Sequence, residues 1–176
     1  MHDDRPDFQI HDQKKSIGIE ITEFIQSDKA WFDARAEKCT PPRFINEPGV
    51  SFYNTRRTSD DIDRIFQQDS SEAEGWPGNF CEIQWAEGII QTVEKKTDKL
   101  RAKTFRKFSQ NWLLIYDNSG LFIELPTGKK ILMIEHISFW DSYWNQGVIF
   151  DAIFILTSSI LLTIKKNSFE IFNKEQ

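Results

Sequence analysis

The sequence is short of the residues on which several classes of site depend. Only two of its 176 residues are cysteine, Cys39 and Cys81, which are too few for a disulfide framework and are not spaced as zinc ligands. It contains no glycine-rich phosphate loop, and negative charge predominates, with a net charge of −5 at pH 7. The composition therefore excludes a disulfide-stapled domain and a globally basic protein, so any nucleic-acid surface must be a local patch.

Long apolar runs are also scarce. The opening residues are polar and acidic, unlike a signal peptide. The one long apolar run, 148–164, holds Asp151 and a central turn signal at Thr157-Ser158-Ser159. Burying the charge of Asp151 in a bilayer would cost roughly 2.5–3.5 kcal/mol. We therefore expect two buried strands there, no association with a membrane, and a cytoplasmic protein with reduced thiols.

Length and composition indicate one globular domain over residues 1–176. Hydrophobic residues make up 39% of the chain and charged residues 28%, which argues against disorder. A chain of this length can bury a sizeable core. The fifteen Phe, six Trp and three Tyr are an unusual aromatic load, which we assign mainly to core packing rather than to base stacking.

Hydrophobic periodicity predicts an alternation of strands and helices. The predicted strands are 7–10, 17–23, 50–54, 112–116 and two within 148–164, with 131–134 as a further candidate. The predicted helices are 28–38, 59–68 and 80–108. This alternation favours an α/β fold, a three-layer sandwich around a central mixed sheet.

Two of the acidic residues on the predicted N-terminal hairpin, Asp7 and Glu20, are candidate metal ligands. Asp7 begins the first strand, and Glu20 lies in the second, on the face that also holds Gly18 and Thr22. If Asp7 and Glu20 point to the same face, their carboxylates can converge on a hard cation such as Mg²⁺. A cation held in this way can polarise a phosphodiester and activate water.

The segment 6–22 begins with Pro-Asp-Phe, ends with Ile-Gly-Ile-Glu-Ile-Thr, and resembles the metal-site hairpin of the restriction-endonuclease-like PD-(D/E)xK nucleases. The resemblance implies a restriction-endonuclease-like fold. It also implies that Asp7 and Glu20 hold Mg²⁺ or Mn²⁺ and that the carbonyl of Ile21 adds a ligand. Thr22 stands where the family keeps its lysine, and a hydroxyl supplies no positive charge. The family often carries a further acid on a preceding helix, and we expect no such helix within the six residues before Asp7.

Positive charge is concentrated between residues 94 and 107, with seven basic residues against two acids. On a helix, one stripe would carry Lys96, Lys99, Lys103, Arg106 and Lys107. The stripe is either a solvated surface or a patch that tracks DNA phosphates without reading sequence, and we take Lys96, Lys99, Lys103 and Lys107 as its binding residues. In the nuclease superfamily a lysine can come from a neighbouring element. We therefore expect Lys96 first, or else Lys99 or Lys103, to supply the charge that Thr22 lacks.

These features support three hypotheses of function. The first is a Mg²⁺- or Mn²⁺-dependent DNA nuclease, or a nuclease-like DNA-binding protein, of genome defence or of a mobile element, with Asp7, Glu20 and Lys96 as catalytic residues. The second is a nuclease-like fold without catalysis that serves as a protein-interaction or regulatory module and binds a protein partner or a second copy of itself. The third is an unrelated α/β domain without nucleotide chemistry. The discriminating feature is whether the two carboxylates and a lysine ammonium converge.

Overall fold

The computed structural model describes residues 5–12, 15–25, 60, 78–121 and 123–173. In chain order, its strands and α-helices are β1 (Phe8–Asp12), β2 (Lys15–Phe24), α1 (Phe80–Arg101), β3 (Gln110–Asp117), α2 (Leu125–Lys130), α3 (Ile137–Trp144), β4 (Ala152–Leu156), β5 (Ile160–Lys165) and β6 (Ser168–Asn173). A π-helical turn, Ile131–Glu135, joins α2 to α3. The predictions for 28–38, 50–54 and Cys39 lie outside the described residues. So does the helix predicted over 59–68, except for Asp60, which is helical.

The six strands form one mixed sheet whose spatial order follows the chain, from β1 to β6. β1 and β2 form an antiparallel hairpin, β2, β3 and β4 run parallel, and β4, β5 and β6 form an antiparallel meander. Parallel neighbours require a crossover connection. The connection from β2 to β3 contains α1, and the connection from β3 to β4 contains α2, the π-helical turn and α3. The predicted α/β class with a mixed sheet is therefore confirmed.

One face of the sheet is buried more deeply than the other. The pairing register places Glu20, Leu113 and Ile153 side by side, and Leu113 and Ile153 are fully buried. Their sequence neighbours on the opposite face, such as Leu114 and Phe154, are only half-buried. The core on the deeper face joins sheet residues to Trp85, Ile89, Val93, Leu100, Ile131, Leu132, Trp140 and Tyr143 of the helical segments. A further layer on the opposite face, the third of the predicted sandwich, stays a prediction.

The N-terminal hairpin forms as predicted, and its ladder is longer than predicted. His11 pairs with Ser16 and Asp12 pairs with Lys15, so residues that were expected in the turn belong to the ladder. In β2 the buried positions alternate with half-buried ones, and Gly18 and Glu20 are buried. An added Cβ at Gly18 would lie 2.7 Å from Cδ2 of Phe108, so only glycine leaves room for that ring.

The long helix is shorter than predicted, because α1 ends at Arg101 rather than near residue 108. The apolar residues that recur at helical spacing along it are buried: Ala86, Ile89, Ile90, Val93 and Leu100. Ala102 then turns away from the helix, with φ −55° and ψ 141°. This exit lets Phe105 enter the core at 4% exposure and lets the chain begin β3. The predicted helical stripe is therefore wrong beyond Leu100: Lys103, Arg106 and Lys107 follow the helix instead of extending it.

Two other predictions fail in the C-terminal half. Residues 131–134 are not a strand but part of the π-helical turn, in which Ile131 and Leu132 are buried. A run of four apolar residues has no alternation that separates a buried strand from a buried helical turn. β6 was missed because four of its six residues are exposed, so it lacks the apolar signal of an inner strand.

The apolar run 148–164 forms two strands, β4 and β5, joined by a turn, as predicted. Thr157 closes the turn, because its Oγ1 accepts the amide hydrogen of Ile160 at 3.1 Å. Asp151 lies before β4, where its Oδ2 accepts the amide hydrogen of Asn111 at 2.7 Å and so links the starts of β3 and β4. None of the helices in the described ranges is both long enough and apolar enough to cross a bilayer.

Candidate active site

Asp7 continues the hairpin ladder with its side chain. Phe8 pairs with Ile19, so the same register carried one residue further sets Asp7 opposite Glu20. Asp7 lies outside β1, yet its Oδ2 accepts the amide hydrogen of Ile21 at 2.6 Å. The carboxylate therefore takes the place that a backbone carbonyl would hold in a longer β1. Asp7 itself is exposed to solvent.

Glu20 is a carboxylate in the core, with 2% of its side chain exposed. The alternation of β2 directs it to the deeper face, towards α1. Its Oε1 accepts hydrogen bonds from Nζ of Lys96 and Nζ of Lys99, each at 2.9 Å. Its Oε2 is buried and has no hydrogen-bond partner among the described residues. A buried carboxylate is tolerated only when it is paired, and the two lysines supply that pairing for Glu20.

Lys96 and Lys99 reach Glu20 from neighbouring positions on one flank of α1, since residues three apart lie on the same side of a helix. The Lys96 side chain is 20% exposed and the Lys99 side chain 37%. Nζ of Lys99 also lies 5.5 Å from the ring centroid of Phe105, within range of a cation–π interaction. Lys96, which we expected to supply the charge that Thr22 lacks, and Lys99, the first alternative to it, therefore both contact Glu20.

Polar contacts near each end of α1 hold these lysines over β2. Near its start, Nε1 of Trp85 donates to Oδ2 of Asp117 at the end of β3, over 2.8 Å. Nearer its end, Oγ1 of Thr97 lies 3.3 Å from the hydroxyl of Tyr143, which accepts the amide hydrogen of Phe150. Burial raises the pKa of Tyr143, so its hydroxyl stays protonated at neutral pH. α1 is thus fixed against β3 and α3.

Lys103 and Lys107 do not reach Glu20. Both are exposed and lie in the segment between α1 and β3. Nζ of Lys107 donates to the carbonyl of Ala102 at 3.4 Å. The four predicted lysines therefore form two sets, an inner pair (Lys96 and Lys99) on the buried acid and an outer pair (Lys103 and Lys107) on the surface.

Thr22 shares the face of Glu20 and is partly buried. An open cavity of about 550 Å³ lies beside it, lined by Asp7, Phe8, Ile21, Thr22, Glu23 and Tyr116. Glu20 is not among the lining residues, so the two carboxylates of the predicted site are adjacent along the sheet but differ in access. Tyr116 is 45% exposed and lines this cavity, which the sequence did not predict. In the sequence it is only the last residue of a predicted strand.

The donors present fit a weakly held divalent cation. Mg²⁺ in proteins is often bound through one or two carboxylates while keeping several waters. The unpartnered Oε2 of Glu20, the carboxylate of Asp7 and the carbonyl of Ile21 match such a set. Within the described ranges there is no group of three or more His, Cys, Asp or Glu side chains that could hold a metal. Nζ of Lys96 and Nζ of Lys99 already contact Oε1 of Glu20, so a cation at this carboxylate would have to compete with two ammonium groups.

The lone thiol in the described residues takes no part in this site. Cys81 is free and buried near the start of α1. Burial raises the pKa of its thiol, and the neighbouring Glu82 raises it further. Cys81 is therefore protonated at neutral pH and packs as a small apolar group.

No protein-family profile matches the sequence, and a search of curated proteins and solved structures finds no match to the chain. The likeness of the hairpin to PD-(D/E)xK nucleases stays a resemblance in sequence.

Proposed function

We propose that the protein is a metal-dependent nuclease that acts on DNA, with Asp7, Glu20 and Lys96 as its catalytic residues. One observation carries the proposal: Nζ of Lys96 lies 2.9 Å from Oε1 of Glu20. A lysine from α1 therefore stands beside the acid of β2, where Thr22 offers no charge. The proposal includes a restriction-endonuclease-like three-layer sandwich, a cytoplasmic location, and a role in genome defence or on a mobile element.

Each residue has a distinct role in the proposed reaction. Asp7 and Glu20, with the carbonyl of Ile21, would hold Mg²⁺ or Mn²⁺, which when bound polarises the phosphodiester and acidifies water. Lys96 sets a positive charge beside the position where negative charge develops on the attacked phosphate. The cover of α1 over Glu20 excludes solvent and so strengthens that interaction. Asp7, which is exposed, is the acid that substrate reaches first.

Plasmid nicking tests the catalytic proposal. We expect wild type to nick supercoiled plasmid weakly in Mn²⁺ or Mg²⁺ and not in chelator. Asp7→Asn and Glu20→Gln should each lower the rate at least about a hundredfold, because a neutral amide is a poor ligand for a hard cation. Asn can still accept the amide hydrogen of Ile21, so Asp7→Asn keeps the hairpin contact.

Glu170→Gln is the matched control for these carboxylate changes, since Glu170 is exposed on β6 at the far edge of the sheet. It should nick like wild type. Thermal unfolding of each variant separates loss of chemistry from loss of fold. A wild-type protein that cuts nothing under any of these conditions, together with an inactive Thr22→Lys variant, would overturn the catalytic proposal.

The outer lysines are proposed to contact DNA phosphates. Lys103 and Lys107 are exposed and follow directly on α1, the helix that carries the inner pair. Contacts of this kind carry no sequence information and weaken as salt rises.

We expect the variant with Lys103→Glu and Lys107→Glu to bind unrelated duplexes equally poorly. Its affinity should fall at least about tenfold, with a shallower dependence on salt between about 50 and 200 mM. The control is Lys165→Glu with Lys166→Glu, the same charge change at the end of β5. Fluorescence anisotropy gives both quantities. Equal losses in the two double variants would mean that only net charge matters and that the outer pair has no special place in binding.

A second candidate function is a protein-interaction module without catalysis. The same geometry supports it, because Oε1 of Glu20 already has two lysine partners and Asp7 already caps Ile21. These contacts stabilise the hairpin against α1 without a metal. Among the described strands β1 lies at one edge of the sheet, with Phe8 60% exposed and Ile10 47% exposed, a surface that suits a protein partner or a second copy.

A further inference from the structure

The proposed site holds one more lysine than its chemistry requires. A single ammonium beside Glu20 would supply the charge that Thr22 lacks, yet Lys96 and Lys99 both lie 2.9 Å from Oε1 of Glu20. Two ammonium groups on one oxygen compete directly with a cation for it. In this arrangement Glu20 presents only Oε2 to a metal.

The two lysines are not equivalent in their surroundings. The Lys99 side chain is 37% exposed and the Lys96 side chain 20%. Lys99 also lies three residues nearer the end of α1, which leads directly to the outer lysines. Lys99 is therefore the member of the inner pair whose ammonium can turn to a phosphate outside, while Lys96 stays with Glu20.

We propose that Lys99 is a phosphate-binding residue that couples metal binding to DNA binding at this site. Without DNA, Lys99 stays on Glu20 and two ammonium groups oppose a cation at this carboxylate. A DNA phosphate that takes up the Lys99 ammonium leaves Oε1 of Glu20 with Lys96 alone, so one positive charge fewer opposes a divalent cation there. This inference rests on the proposed function, since it assumes that Asp7 and Glu20 are metal ligands.

Thermodynamic linkage makes the coupling measurable from either side. If DNA raises the affinity for the metal, the metal raises the affinity for DNA by the same factor. Removing the Lys99 charge should then have opposite effects on the two ligands: tighter metal binding without DNA, and weaker DNA binding.

Free Mn²⁺, measured by its electron paramagnetic resonance signal, tests this without any catalytic readout. The proteins are wild type, Lys99→Met and Lys95→Met, each with and without saturating short duplex, and the Mn²⁺ bound by duplex alone is subtracted. Met keeps an unbranched stem at a helical position. Lys95 is the matched control because it is exposed on the same helix and has no contact with Glu20 among the described residues.

We expect duplex to tighten Mn²⁺ binding by wild type and by Lys95→Met on the order of tenfold. A unit positive charge that moves away from a divalent cation a few ångströms distant gives an effect of this size even in water. Lys99→Met should bind Mn²⁺ without DNA about as tightly as wild type does with it, and duplex should add little. If wild type and Lys99→Met bind Mn²⁺ equally tightly without DNA, the coupling is overturned. If Glu20→Gln still abolishes that Mn²⁺ binding, the proposed metal site stands without the coupling. If none of the proteins binds Mn²⁺ even with duplex, the metal site and the coupling are both overturned.

Discussion

Replacing both Lys96 and Lys99 with methionine is expected to lower the free energy of unfolding by about 3 kcal/mol. The change leaves the carboxylate of Glu20 buried at 2% exposure with neither of its partners. Removing one side of a buried ion pair typically costs about 3–5 kcal/mol, and the partial exposure of the lysines puts this site near the lower end. Urea unfolding at neutral pH, followed by tryptophan fluorescence, measures the loss.

A triple variant separates the buried charge from other causes. Adding Glu20→Met to the two lysine changes removes the stranded carboxylate and should restore most of the lost stability, since apolar groups of similar volume can replace a buried ion cluster. Lys95→Met should stay within about 0.5 kcal/mol of wild type. If the triple variant were no more stable than the double, the loss would come from packing of the lysine stems rather than from the charge on Glu20.

The second large effect concerns the position of the catalytic lysine. Lys96→Met should lower the plasmid-nicking rate about 10²- to 10³-fold, the usual cost of removing one charge that stabilises a transition state. Adding Thr22→Lys should recover much of the rate. Thr22 lies on the face of Glu20 two residues along β2, so the new ammonium would act on the same phosphate from the strand instead of the helix.

Adding Thr22→Met to Lys96→Met is the matched control, because it adds a similar stem without the charge and should leave the variant inactive. Melting temperatures of all variants are compared first, since each change alters a partly buried side chain. Recovery by methionine as well as by lysine would mean that packing at position 22, not charge, limits the reaction. No recovery by either would show that a lysine is useful only from α1.

The parts of the site that follow local pattern could be predicted from the sequence. β2 alternates apolar and small or polar residues, so its strand character and the common face of Glu20 and Thr22 follow from a period of two. The buried face of α1 follows from helical spacing in the same way. Asp7 opposite Glu20 needs only a hairpin with a short turn. These are local relations, within one element or between neighbours.

The contacts that complete the site are not local. Lys99 and Glu20 are 79 positions apart, and their contact depends on how α1 is rotated over β2. The sequence could nominate a lysine from this helix, but could not show that two would share one oxygen. The position at which α1 ends could not be predicted from the sequence either. Ala102 is neither glycine nor proline, and the helix stops there because Phe105 enters the core.

The agreement between strand order and chain order has a kinetic consequence for a chain that emerges from the ribosome. The β1–β2 hairpin closes over two residues, so it can form as soon as it is made. Glu20 then stays in water until Gln110 is available to begin β3 and α1 can dock, since parallel pairing must wait for its crossover. The ion cluster is therefore a late event in biosynthesis, and an incomplete chain that ends before α1 carries the acids of the proposed site without their lysines.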